Sequence, residues 1–247
     1  MNFFSLFKRN FIYNLKKKKS IDNDNINTNS LDKLFYHYGS DKAHLFKKTA
    51  NKGHGYSEFY KKKLEKIKNQ KINILEIGSY AGASAAAFAK YLPNSNIFCF
   101  DINISNFEYK SKKIHVFGID INNQKKAIKI MNKIAYQFNI EKFDIIIDDG
   151  SHNLSDILIA LKFFFKYLKN KGLYIIEDFK FPNYYSYNKN INHILIDELL
   201  KNLENKNTFN SNIFTKNEQL DFMDMVDKIE VYKGNLNNSD IGFIFKS

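Results

Sequence analysis

A single cysteine, Cys99, stands in the 247 residues, which excludes a disulfide framework. Its setting, the apolar run "IFCF", reads as a buried structural thiol and fits a reducing cytoplasm. Tryptophan is absent and proline occurs only twice, yet Phe and Tyr make up 16% of the chain. That composition does not belong to a disordered chain. The length suffices for one sizeable domain with a real core. No stretch approaches the roughly eighteen consecutive apolar residues of a membrane span. Acidic residues are missing from the first twenty positions, which hold Lys8, Arg9 and Lys16 to Lys19.

Those six cations supply half of the net charge of +12. A basic chain invites a nucleic-acid partner. Here the remaining charge is spread out, and Lys, Asn and Ile are abundant throughout, so nucleic acid is not the expected partner. The opening "MNFFSLFKRNFIYNLKKKKS" does not read as a secretory signal. Charges interrupt its apolar run, the basic cluster is at the wrong end, and no small-residue cleavage site follows. Phe3, Phe7, Phe11 and Leu15 recur every four residues, so a helix there carries an aromatic stripe. Such a helix suits either a peripheral contact of residues 1–20 with an anionic membrane, or docking on its own domain or on a second copy in a homo-oligomer. The expected location is cytoplasmic, with the inner membrane face as the peripheral alternative.

The polar stretch "SIDNDNINTNS" reads as a linker. Residues 1–30 are therefore expected to form a basic arm and linker, residues 31–70 a helical or lid segment, and residues 71–247 the main domain. From residue 72 the pattern alternates: strands "INILEIG", "NIFCFDI", "KIHVFGID", "FDIIIDDG" and "GLYIIEDF" are separated by helical stretches. Further helices are expected near 191–204 and 216–226. The final strands, "KIEVYKG" and "IGFIFK", are too close for a parallel crossover and must form an antiparallel hairpin. The expected fold is α/β: a doubly wound, mostly parallel, Rossmann-like seven-stranded sheet with an antiparallel C-terminal hairpin and helices on both faces. Ligands of such sheets sit beyond the carboxyl ends of the strands.

The chemistry-bearing residues lie at those ends. After the first strand, "LEIGSYAGAS" places Gly78 and Gly82 in a tight turn before a helix whose free N–H groups favour a carboxylate. Spacing Gly-x-x-x-Gly, with Tyr80 between, departs from the dinucleotide fingerprint. Glu76 repels a pyrophosphate and suits an ammonium group. Asp101, ending the second strand, is placed to accept both hydroxyls of a ribose. An amino acid joined to a nucleoside describes S-adenosylmethionine, with Ser84 and Asp120 as further expected contacts. Asp149, Glu177 and Asp178 end adjacent strands; converging carboxylates repel and raise one another's pKa values. A hard divalent cation such as Mg²⁺ resolves that conflict, and His152 is the expected general base for a metal-bound hydroxyl. The plainer alternative makes Asp148 and Asp149 caps of the next helix and leaves Ser151 and His152 structural.

"LEIGSYAGAS", "FDIIIDDGSH" and "GLYIIEDF" together resemble the metal-dependent sugar O-methyltransferases of macrolide biosynthesis, the macrocin and mycinamicin type, and the related cephalosporin-hydroxylase-like methyltransferases. The resemblance covers roughly residues 36–247. It implies a class I S-adenosylmethionine-dependent fold, Mg²⁺ on Asp149, Glu177 and Asp178, and His152 as base. The stretch "YGSDKAHLFKKTANKGHGYSEFY" also resembles the family, which implies that Asp41, Lys42, His54 and Tyr56 approach the active site. One departure is the short basic arm, where larger members carry an N-terminal domain that helps build assemblies. Oligomeric state and acceptor are therefore not carried over. "FPNYYSYNKN", with Phe181, Tyr184, Tyr185 and Tyr187, is expected to wall the acceptor site, with Tyr56 as a further acceptor contact. The expected reaction is O-methylation of a hydroxyl of a sugar, glycan precursor or related small metabolite, with a phosphate-type oxygen as a variant. The alternatives are a nicotinamide-dependent oxidoreductase on a similar fold and a non-catalytic basic binding protein.

Overall fold

The structure, a computed structural model, describes residues 3–180, 193–237 and 239–247. Helix α1 (Phe3–Leu15) leads through the two-residue strand β1 (Lys19–Ser20) to α2 (Leu31–Tyr38), the small hairpin β2 (Leu45–Phe46) and β3 (Asn51–Lys52), and α3 (Ser57–Leu64). The alternating part follows: β4 (Ile72–Ile77), α4 (Ala83–Tyr91), β5 (Ser95–Asp101), β6 (Tyr109–Lys110), β7 (Ile114–Gly118), α5 (Gln124–Phe138), β8 (Phe143–Asp148), α6 (Leu154–Phe164) and β9 (Leu168–Glu177). Helices α7 (Ile196–Glu204) and α8 (Lys216–Asp224) precede the closing strands β10 (Val226–Lys233) and β11 (Asp240–Lys246).

Seven strands form one sheet in the order β10-β11-β9-β8-β4-β5-β7. Strands β4, β5, β7, β8 and β9 run parallel, and β11 pairs antiparallel with both β9 and β10. This is the doubly wound sheet with an antiparallel C-terminal hairpin that the sequence predicts. β4 is buried along its whole length, which is why it reads as an unbroken apolar run apart from Asn73 and Glu76. From β4 the chain winds outward to β5 and β7, then returns to β8 on the other side of β4. That reversal opens a crevice at the carboxyl ends of β4, β5 and β8.

Strand side chains alternate between faces. Ile146, Tyr174 and Ile176 join one apolar cluster with α5, α6, α7 and α8; Ile145, Ile147 and Ile175 join a second with α2, α3 and α4. The small residues of α4 let it lie close on the second face, with Ala85, Ala86, Ala87 and Ala89 fully buried. α7 begins at Ile196, later than the predicted 191, and α8 ends at Asp224. The polar stretch expected as a linker lies on the domain: Ile21 is buried, β1 pairs with β6, and Asp24 accepts from Tyr38 and His37. Asp22 adds to this hold, accepting from the Ser111 hydroxyl at 2.6 Å and the Lys112 amide at 3.2 Å; single carboxylates and one isoleucine do not stand out in a polar run. No helix among the described residues is long and apolar enough to cross a membrane.

Candidate active site

Register decides which acids meet. Glu76, Ile147 and Ile175 are paired neighbours across β4, β8 and β9. Glu177 and Asp149 lie two positions further along their strands and so face the same side, towards α2, α3 and α4. Asp148 points to the opposite face. Its carboxylate accepts from the Gly150 amide at 3.3 Å, and burial pushes its pKa up to about 8. It does not cap α6; Asn153 does, accepting from the Ser155 amide.

On the functional face a lysine enters from outside the sheet. Lys42, fully buried, donates to Asp149 Oδ2 at 2.6 Å and to Glu177 Oε2 at 2.5 Å. Burial lowers the pKa of an ammonium, but Asp149 and Glu177 outweigh it and hold Lys42 well above the usual lysine range. Tyr60 donates to the other oxygen of Glu177. Burial raises the pKa values of Glu177, Asp149 and Glu76 despite that lysine. Asp178 leaves the strand in a left-handed conformation, φ 50°, and turns to other partners. Tyr56 donates to its Oδ1 at 2.5 Å and His54 Nδ1 lies 3.0 Å from the same oxygen. Burial pushes Asp178 up, yet these two contacts hold it below the ordinary carboxylate range.

His152 is also left-handed, φ 54°, and its Nε2 lies 3.9 Å from Asp149 Oδ1. One ligand atom each from Asp149, His152 and Asp178 falls within 4.8 Å of the other two. Glu177, expected as the third ligand, stands beside this trio with its oxygens engaged by Lys42 and Tyr60. Each engaged oxygen keeps a second lone pair. Three acidic groups with one lysine among them leave an excess of negative charge, and hard oxygen donors beside an imidazole fit a divalent cation.

Asp149 and His152 line a cavity of about 590 Å³, together with Gly78, Asp101, Ile102 and Asp120, among others. Gly78 is required twice over: its φ is 86°, and a Cβ would fall 1.9 Å from the Asp149 carbonyl oxygen. Its backbone thus packs on the neighbouring strand. Gly82, φ 76°, caps α4 against the Phe107 ring and does not line this cavity. The Asp101 carboxylate is oriented by the amides of Tyr80, at 2.7 Å, and Asn103, at 2.5 Å. Asp120 accepts from the Asn122 amide at 3.1 Å. Ser84 lines a smaller adjoining cavity of about 130 Å³, shared with Lys42 and Asp41. Glu76 lies beneath, fully buried; Oε1 accepts from Ser84 at 2.5 Å, and Oε2 has no hydrogen-bond partner.

Of the two expectations about the acceptor wall, one meets the structure and one does not. Tyr56 is fully buried and its hydroxyl is committed to Asp178 and the Asp240 carbonyl, so it orients a carboxylate and does not face an acceptor. Tyr184 and Tyr185, with Phe181 and Tyr187, lie outside the described residues. Tyr60 was not singled out from sequence. Its spacing of four from Tyr56 was the available signal, because it puts both hydroxyls on one helical face.

No family model matches the chain. Among curated proteins, an L-olivosyl-oleandolide 3-O-methyltransferase of Streptomyces antibioticus is 30% identical over 158 residues, 61% of this chain and 37% of that protein. A mycinamicin VI 2''-O-methyltransferase of Micromonospora griseorubida is 27% identical over 135 residues, 51% of this chain and 31% of that one. Among solved structures, the MycE methyltransferase of the mycinamycin biosynthetic pathway, in complex with Mg, SAH and mycinamycin VI, superposes with a TM-score of 0.63 at 18% identity. It covers 88% of this chain and 54% of that one. The chain thus spans about a third of the length of the curated relatives it matches. The expected resemblance is borne out: the curated relatives are sugar O-methyltransferases, and the fold is that of class I methyltransferases.

Proposed function

We propose that this protein transfers the methyl group of S-adenosylmethionine to a hydroxyl oxygen of a sugar, glycan precursor or related small metabolite, with a hard divalent cation, Mg²⁺ first, at the carboxylates. The observation that carries the reading is the convergence of Asp149, His152 and Asp178 within 4.8 Å, beside a cavity that Asp149 and His152 line together with Asp101 and Asp120. The names of the relatives support the reaction class, and the MycE complex supports the two cofactors.

In this reading the donor's carboxylate meets the amino-terminal end of α4. Its ammonium pairs with the unpartnered, buried Oε2 of Glu76. Its ribose hydroxyls donate to Asp101, which the Tyr80 and Asn103 amides already hold in place. Asp149, Glu177 and Asp178 would hold the cation, which would supply Lewis acidity to an acceptor hydroxyl or equally to a phosphate-type oxygen. His152 takes the hydroxyl proton as the oxygen attacks the methyl carbon, and the sulfonium leaves as a neutral thioether. Lys42 keeps Asp149 and Glu177 from repelling each other. Tyr56 and His54 fix the rotamer of Asp178. Residues 31–70 then act as a lid segment that delivers Lys42, His54, Tyr56 and Tyr60 to a catalytic domain spanning 71–247.

A second reading of one residue has its own support: His152 belongs to the trio of donor atoms that lie within 4.8 Å of one another, as a cation ligand would. The nicotinamide and non-catalytic alternatives gain nothing from the relatives. A cytoplasmic setting, a peripheral membrane contact through residues 1–20 and a homo-oligomer are separate proposals that the chemistry does not need. The test is methyl transfer from labelled S-adenosylmethionine to a panel of free and glycosidic sugars, with and without EDTA. Transfer that stops in EDTA and returns with Mg²⁺ is expected. Full transfer in EDTA would remove the cation and leave the carboxylates as direct substrate ligands.

A further inference from the structure

The described residues expose twelve large apolar side chains, and four of them, Phe7, Phe11, Ile12 and Leu15, lie on the 13 residues of α1. They are 65%, 56%, 40% and 71% exposed. At about 100° of rotation per residue, these four and Lys8 fall within an arc of about 140°. The residues that fasten the helix fall on the other side. The Arg9 guanidinium donates to the Ile102 carbonyl at 3.0 Å, and Lys16 donates to the carbonyls of Ser105, at 3.2 Å, and Asn106, at 3.0 Å. Asn10 lies against Gly118, and the Tyr13 ring meets Phe107 edge-on at 6.3 Å. The helix is therefore docked by one face, and its aromatic stripe is turned outward by that docking.

The charge around the stripe says what covers it. Lys8 and Lys17 are exposed, Lys19 is exposed beside them, and no acid occurs among the first twenty residues. The nearby Glu108 is paired with Lys19 at 3.3 Å. A second copy of this chain would bring the same cations face to face. An apolar stripe bordered by lysines complements acyl chains beneath anionic headgroups. A helix of 13 residues is too short to cross the bilayer but lies well along its surface.

We propose that α1 is an interfacial anchor that lays Phe7, Phe11, Ile12 and Leu15 into an anionic lipid surface. The inference is independent of the enzymatic reading. It puts the Ile102 wall of the large cavity about one helix diameter, roughly 10 Å, from the bilayer.

The absence of tryptophan gives the test a silent background. In Phe11→Trp, vesicles of phosphatidylcholine with phosphatidylglycerol should shift the emission to the blue, and phosphatidylcholine alone should not. In flotation with the mixed vesicles, the double change Lys8→Gln and Lys17→Gln should weaken partitioning of the full chain by about thirtyfold at low salt. The triple change Phe7→Ser, Phe11→Ser and Leu15→Ser should abolish flotation. All variants alter exposed side chains, so their melting curves by circular dichroism should match the wild type. Unshifted emission, or equal flotation of all forms, would overturn the anchor. So would a wild-type dimer in sedimentation velocity that the triple change dissociates, because the stripe would then be a contact between copies.

Discussion

Asp148 and Asp149 are adjacent in the chain and face opposite sides of the sheet, and that alternation assigns their roles. Asp148 is buried, and that burial pushes its pKa up to about 8. Asp149 meets Lys42, His152 and Asp178. If His152 is the base, His152→Ala should cut turnover by roughly a hundred- to ten-thousandfold, while Mn²⁺ affinity by calorimetry stays at the wild-type value. Weakened Mn²⁺ binding would make it a ligand. Lys42→Met leaves the buried Glu177 and the partly buried Asp149 without their cation, a cost of roughly 3–5 kcal/mol. Its melting temperature should fall, and Mg²⁺ should restore more of it than Mg²⁺ adds to the wild type. Equal Mg²⁺ shifts in both would contradict the view that lysine and cation share the same charge deficit. The carboxylates and His152 were legible because charge at the end of an isoleucine run is costly without a purpose. The role of Lys42 is not legible in the sequence, because 107 residues separate it from Asp149 and only the fold closes that gap.

At the scale of elements, β10 is tied to α3 by one carboxylate. Glu230 accepts from Lys63, from Tyr232 and from Lys228 at 2.6 Å. Burial pushes its pKa up, but these three donors prevail and hold it at about 2. A depressed carboxyl stabilises the fold above its unfolded pKa of about 4.3 and loses that contribution as pH falls through the folded value. Glu230→Gln should therefore cost roughly 1 kcal/mol in urea unfolding at pH 7, and the difference from wild type should shrink between pH 4.5 and 2. A difference that persists unchanged at pH 2 would show that charge is not the cause. The inner strands β4, β5 and β8 were readable because each carries an apolar run bounded by polar turns. The pair β1 and β6 was not, because two residues of strand carry no side-chain period. The acceptor wall expected at 181–190 remains a sequence expectation.

Over the whole molecule, the alternation of strands and helices was enough to predict a doubly wound sheet, while the strand order that brings β4 between β5 and β8 was not written in any single segment. That order creates the crevice where Gly78, Asp101 and Asp149 meet. The account rests on this crevice being the seat of S-adenosylmethionine. The most direct measurement is calorimetric titration of the full chain, and of Asp101→Ala, with S-adenosylhomocysteine and separately with NADH. The expected result is saturable binding of S-adenosylhomocysteine and none of NADH. In Asp101→Ala that binding should be about ten- to a hundredfold weaker, since hydrogen bonds to a charged acceptor contribute roughly 1.5–3 kcal/mol. Binding of NADH without S-adenosylhomocysteine, or an unchanged affinity in Asp101→Ala, would contradict it.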